Sequence, residues 1–235
     1  MRSVLVTVAV LACALAAGVE SAGATNECRG LNPCVPVAGP WVVVPVGRNV
    51  PRPQVQYQLS CPAGYVVGGV DAEVTDRRID VAFLGKSGSP VNPGVTTSRT
   101  IVFVASYVGA GAAAPTFRPH AGCIRPQGGG RRTPTSVTAV SPPGEPTIRR
   151  VRTVRIAANQ DRNVVQTCRA GERLVAAYHA RGFFTRTPPS VSTIRSLSAR
   201  RTVRANRVVV TAHGGPELQS ARAVVQVAAV CAEGT

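Results

Sequence analysis

Aromatic side chains are scarce here: five Phe, four Tyr and one Trp in 235 residues. Base-stacking sites and sugar platforms each need several aromatic faces, so neither a specific nucleic-acid reader nor a carbohydrate binder fits. Trp41 stands alone. Histidine is rarer still, with His120, His179 and His213 the full set and none in a catalytic or ligating spacing. No CxxC pair or Cys/His cluster is present, so zinc has no motif, and nothing in the chain calls for a cofactor. Lysine and methionine occur once each, and other helix formers are thin, whereas Val, Thr, Gly and Pro abound. That balance excludes a helical bundle and points to an all-β chain of short strands and turns. Apolar residues make up 44%, enough for a core, so wholesale disorder is excluded even at a net charge of +16.

Long apolar runs are confined to the beginning. Arg2, the apolar stretch 4–19 and Ala22-Gly23-Ala24 have the layout of a secretory signal peptide ending at residue 24. Cys13 follows Val10-Leu11-Ala12, which gives an alternative expectation of a lipoprotein anchored through Cys13. After residue 24 no segment is long and apolar enough to span a bilayer as a helix. The rest is expected to be secreted.

Removing residues 1–24 leaves six cysteines: Cys28, Cys34, Cys61, Cys123, Cys168 and Cys231. An even count in an exported chain reads as disulfides. Cys61 and Cys123 are 62 positions apart, Cys168 and Cys231 are 63 apart, and the first members of the two pairs are offset by 107. The surrounding sequence keeps the same register. CPAG at Cys61 meets CRAG at Cys168, and IVFVASYVG from Ile101 meets VVVTAHGG from Val208. A duplicated domain carries its own bridge with it, so the expected pairs are Cys61–Cys123 and Cys168–Cys231, with Cys28–Cys34 closing a small loop. A bridge across about 62 residues stabilises by about 4 kcal/mol on the chain-entropy account. The expected architecture is two tandem β-sandwich-like units, residues 25–125 and 147–235, each tied by one disulfide and joined by a Pro/Gly/Arg-rich linker at 126–146. The halves are expected to fold alike and partly independently.

The pattern CPAGYVVGG, a Val-rich strand some 40 residues on and a last strand ending in Ala/Gly-x-Cys resembles secreted proteins of high-GC bacteria built from such units. The resemblance implies a disulfide-tied β-domain and carries over no functional residue. VVGGVDA at Val66 also resembles the mature N-terminus of trypsin-like proteases, and TAHGG at Thr211 resembles their histidine segment. However, Tyr65 stands where a basic residue precedes the cut, and no Gly-Asp-Ser-Gly-Gly segment exists. A Ser-His-Asp hydrolase is therefore the least favoured reading, and no catalytic residue is assigned. Asp71, Glu73, Asp76 and Asp80 cluster, but Arg77 and Arg78 interrupt them and calcium-loop spacing is missing, so arginine pairing is expected and no metal.

Charge is divided unevenly, +4 over residues 25–130 and +12 over 131–235. All but one of the 27 basic residues are arginine, concentrated in RRVRTVR and RSLSARRTVRANR. Guanidinium groups grip phosphate and carboxylate bidentately, so Arg149, Arg150, Arg152, Arg155, Arg200, Arg201 and Arg204 are the candidate anion-binding set. Strand alternation suggests that Arg150, Arg152 and Arg204 share an exposed face while Val151, Val154 and Ile156 pack. The functional expectation is a secreted, non-catalytic protein that binds anionic polymers of the cell envelope. An enzyme inhibitor presenting RTPPSVST from Arg186 is the alternative.

Overall fold

The computed structural model describes residues 25–31, 33–47, 51–84, 99–109, 114–125 and 147–233. The leader 1–24, Cys13 and the linker 126–146 lie outside the described residues.

The strands of the first unit are β1 (Val35–Ala38), β2 (Trp41–Val43), β3 (Gln54–Ser60), β4 (Val66–Val74), β5 (Ile79–Leu84), β6 (Thr100–Tyr107) and β7 (Thr116–Ile124). The second unit has β8 (Thr147–Ile156), β9 (Gln160–Thr167), β10 (Glu172–Phe184), β11 (Leu197–Arg204), β12 (Arg207–Gly214) and β13 (Arg222–Glu233), with a short helix α1 (Val191–Arg195) before β11. The fold is all-β, two tandem sandwich-like units, each with one bridge between its sheets. In both, the closing strand pairs with the opening strand on one side and the third on the other: β7 with β1/β2 and β4, β13 with β8 and β10. The facing sheets run β3-β6-β5 and β9-β12-β11. Pairs repeat to the residue. Gln54 faces Ser106, and their counterparts Asp161 and His213 face each other.

The duplicated text explains the duplicated geometry. In CPAG and CRAG the amide of Tyr65 bonds Pro62 O and that of Glu172 bonds Arg169 O, each 3.1 Å, and Gly64 and Gly171 both sit at φ +80°. A type II turn needs a positive φ at its third position, which glycine adopts without a steric penalty. A bulge follows in each third strand, between Val67 and Gly69 and between Leu174 and Ala176. Period-2 alternation then buries Val55, Tyr57 and Leu59 of β3 against Ile101, Phe103, Ala105 and Tyr107 of β6. Tyr57 is buried so thoroughly that its phenol is pushed up to about 12, with nearby Arg222 opposing the shift. The bridges are Cys28–Cys34, Cys61–Cys123 and Cys168–Cys231, the pairs that the spacing singles out. Three disulfides indicate an oxidising compartment.

The junction is tighter than a flexible linker alone provides. The free edge of β2 pairs with β10, Val42 opposite Gly182 and Trp41 opposite Phe183, so one sheet runs through both units. Val43 is built into the second core and Ala180 into the first. β3 lies over β10 and β13, where the 4%-exposed Gln226 accepts from Gln58 N–H at 2.6 Å and donates to Gln58 O at 3.0 Å. Its Nε2 also reaches Thr153 Oγ1 at 3.1 Å, so the buried amide is satisfied in the way a buried polar group must be.

Candidate functional site

The seven candidate arginines separate into two groups. β8 keeps one register along its whole length against β13, so its odd and even residues leave opposite faces. Arg149 shares a face with Val151 and Thr153 and turns under the first unit, 5.2 Å from the Tyr178 ring and donating from Nη1 to Gln56 Oε1 at 2.6 Å. Burial lowers its pKa, which the Tyr178 phenol opposes. Arg150 forks onto both oxygens of Glu172. That fork, aided by the Arg169 amide, holds the Glu172 carboxyl below the usual range. Arg201 donates to Ala177 O while staying exposed. These three are structural struts.

Arg152, Arg155, Arg200 and Arg204 are exposed and make no such bond among the described residues. The expected common face of Arg150, Arg152 and Arg204 does not form. Arg150 and Arg152 lie on the Val154 and Ile156 side of β8, Val151 lies on the other side, and Arg204 belongs to the opposite sheet. Alternation itself groups Arg150 and Arg152 with Val154 and Ile156, and the first unit covers the other face of the sheet.

The open face is the outer side of β11-β12-β9. Arg200 and Arg204 point out from β11 with Ser198 and Thr202 between their neighbours, and the two arginines are about 13 Å apart along the strand. Arg207 stands directly opposite Arg204 across the hairpin, and Thr211 opposite Arg200. Thr211 Oγ1 donates to Asn163 Oδ1 at 2.9 Å. Two like charges facing each other across a strand pair repel, and no carboxylate stands beside them among the described residues. Arg207 was missed by sequence reasoning because only the two-residue turn Ala205-Asn206 brings it opposite Arg204.

At the other end of this face Asp161 Oδ1 lies 2.7 Å from His213 Nδ1, and Ser198 is the next residue in the same cross-strand row. The row was also illegible, since His213 and Asp161 meet only through β9-β12 register. No hydrogen bond joins Ser198 to the ring among the described residues. His213 and Asp161 are 57% and 78% exposed, without the water-excluded walls that acyl transfer uses.

The acidic cluster is dispersed. Asp76 accepts from Arg78 Nη2 at 2.7 Å and Tyr107 Oη at 3.0 Å. Its hydrogen bonds to Arg78 hold its carboxyl well below the ordinary range. Asp71 caps the amide of Asn26 at 2.6 Å, and Glu73 Oε1 meets His120 Nε2 at 3.1 Å. Glu27 approaches the other ring nitrogen at 3.8 Å. These contacts seat the Cys28–Cys34 loop on the outer face of β4 and β7. A Cβ on Gly69 or Gly122, which face each other across the strands, would stand 2.0 Å from Glu27 O, so only glycine admits the loop. Asp80 stays exposed on β5. Cys168, Glu172 and Cys231 crowd together, but both sulfurs are spent in the disulfide and offer no thiolate to a metal. The RTPPSVST segment is only partly extended: Ser190 caps α1, accepting from Thr193 N–H, and Ile194 is buried.

No family model, curated protein or solved structure matches the chain. What the protein does must therefore be read from its own geometry.

Proposed function

We propose that this is a secreted, non-catalytic protein that binds anionic polymers of the cell envelope through the outer face of β11 and β12. The observation carrying the reading is the uncompensated row Arg200, Arg204 and Arg207 on an open sheet face. The equivalent face of the first unit is covered along β3, at Gln56 and Gln58, by the second unit, and carries no such arginine row among the described residues. Guanidinium groups spaced along a flat, hydroxyl-rich strand surface suit repeated phosphates or carboxylates, and Thr202, Thr211 and Asn163 supply neutral hydrogen-bonding groups between them. Association of this kind releases counterions and weakens steeply with salt.

The test is titration with teichoic acid and with heparin at two ionic strengths, on the wild type and on Arg200→Gln/Arg204→Gln/Arg207→Gln. Each arginine in contact contributes about one unit of salt slope, so the triple variant should lose about three. Unchanged affinity and slope in the triple variant would overturn the assignment.

A further inference from the structure

β10, beyond the two residues that pair with β2, and the edge strand β11 lie on the same side of the second unit, one in each sheet, so side chains close the mouth between them. Three basic residues do so. Arg181 Nη1 donates to Leu197 O at 2.6 Å, His179 meets the backbone of Ala199, and Arg201 reaches Ala177 O. No carboxylate enters this row among the described residues. Arg181 spends one of its guanidinium N–H groups on Leu197, and burial lowers its pKa, the mark of a cation held away from water without a counter-charge.

Beside Arg181 the chain leaving β2 crosses the second unit and meets α1. A cavity of about 340 Å³ opens there, walled by Val43, Val44, Val46 and Val191, with Arg181 and Arg195 at its rim. Its size falls in the range of small-molecule sites, and the junction of two units is a common place for one. No carboxylate is among the residues that line the cavity, and none pairs with Arg181 or Arg195 among the described residues. One wall is therefore apolar and one side cationic.

We propose that this cavity binds a small amphipathic carboxylate, its head on Arg181 and Arg195 and its apolar chain against the valines. The anion offsets the uncompensated charge of Arg181, and two guanidinium groups grip a carboxylate more firmly than one. At ~30 Å³ per small group the volume holds about ten non-hydrogen atoms, which matches a carboxylate on a chain of about eight carbons. The site is separate from the polymer face, because Arg181 lies on the core side of β10 whereas Arg200, Arg204 and Arg207 point outward from the other sheet.

Calorimetric titration of the full disulfide-bonded protein with octanoate tests this, with octanol, acetate and inorganic phosphate as comparison probes. Octanoate should saturate one site, and each comparison probe should bind at least about tenfold more weakly, a difference of ~1.4 kcal/mol. Arg195→Gln and Val46→Asp alter exposed positions and leave the core intact, and each should weaken octanoate by about tenfold. Arg181→Lys keeps the charge but not the fork, and should weaken octanoate less than Arg195→Gln/Val46→Asp together. No saturable octanoate binding by the wild type would overturn the proposal. Equal binding of octanol, phosphate as tight as octanoate, or undiminished binding by both exposed variants would do the same. Heparin titrated in parallel keeps the two readings distinguishable: loss of octanoate binding with heparin binding intact would sink only this one.

Discussion

The two units share topology, bridge, turn and bulge, yet they cover the outer face of their closing strand in different ways. In the first unit Gly69 and Gly122 leave a trough that the Cys28–Cys34 loop fills; in the second the same positions are Ala176 and Val230, and the first unit itself lies over the sheet. The chemistry follows. The first unit buries Glu27 and His120 under a small loop, whereas the second buries Gln226 and half-buries Arg149 under a whole domain. A duplicated fold thus keeps its core and bridge constant while its outer faces diverge, and the divergence decides which face remains open.

The largest expected effect tests whether the twins are energetically alike. Replacing Cys61 and Cys123 by alanine should cost about 4 kcal/mol, and replacing Cys168 and Cys231 should cost the same within ~1 kcal/mol, because the closed loops are nearly equal in length. Denaturant midpoints measure both. Two separate unfolding transitions, in place of one, would show that the continuous sheet does not couple the units. Next comes Gly122→Val, which gives the first unit the residue of the second. Overpacking against Glu27 should cost about 2–3 kcal/mol or eject the loop, seen as faster reduction of Cys28–Cys34. The reciprocal Val230→Gly should cost only ~1 kcal/mol.

Cysteine spacing, the 107 offset and the paired CPAG and CRAG turns were legible because each is local or repeats at a fixed distance. They carried the bridges and the register between units, while the all-β class came from the scarcity of helix formers. Period-2 alternation holds in β3 and β6. It holds in β8 as well, where the expected face broke it by separating Arg150 and Arg152 from Val154 and Ile156, and where the fate of Arg149 depends on Gln56, 93 positions away, and that of Arg150 on Glu172. The β2–β10 junction, the seating of Glu27 on two glycines and the Asp161–His213 contact are likewise meetings between distant residues that no periodicity announces. Of the candidate site, the arginine-rich run through β11 was visible in the sequence, and the pairing that sets its last residue, Arg207, opposite Arg204 was not.

Two smaller effects sharpen the comparison. Gln226→Leu removes the partners of Gln58 N–H and C=O and should cost about 1–3 kcal/mol, since buried backbone groups are left unmet. Arg118, its counterpart in the first unit, bonds Gly39 O and stacks 5.9 Å from Trp41 near the surface, so Arg118→Leu should cost less. The smallest effect is a pH slope. Burial, reinforced by Arg201 and Arg181, lowers the His179 pKa from its ordinary 6.5. The folded state then holds the ring neutral where the unfolded chain takes up a proton, so stability present above about pH 6.5 is lost as pH falls. His179→Gln should flatten thermal midpoints between pH 7.5 and 5.5; an unchanged slope would place its origin elsewhere, as the first unit has Ala72 at this position.

The continuous sheet has a consequence in symmetry. Its strand order repeats third, closing, opening, then third, closing, opening again, so the units are related by a step along the sheet and not by a two-fold axis. A two-fold pair hides or exposes the same face twice. A stepped pair has two unlike ends: one carries the disulfide loop on its glycine trough, and the other is β8 with Arg149, Arg150, Arg152 and Arg155. Such a molecule is polar from end to end, and a substitution at one terminus has no mirror at the other.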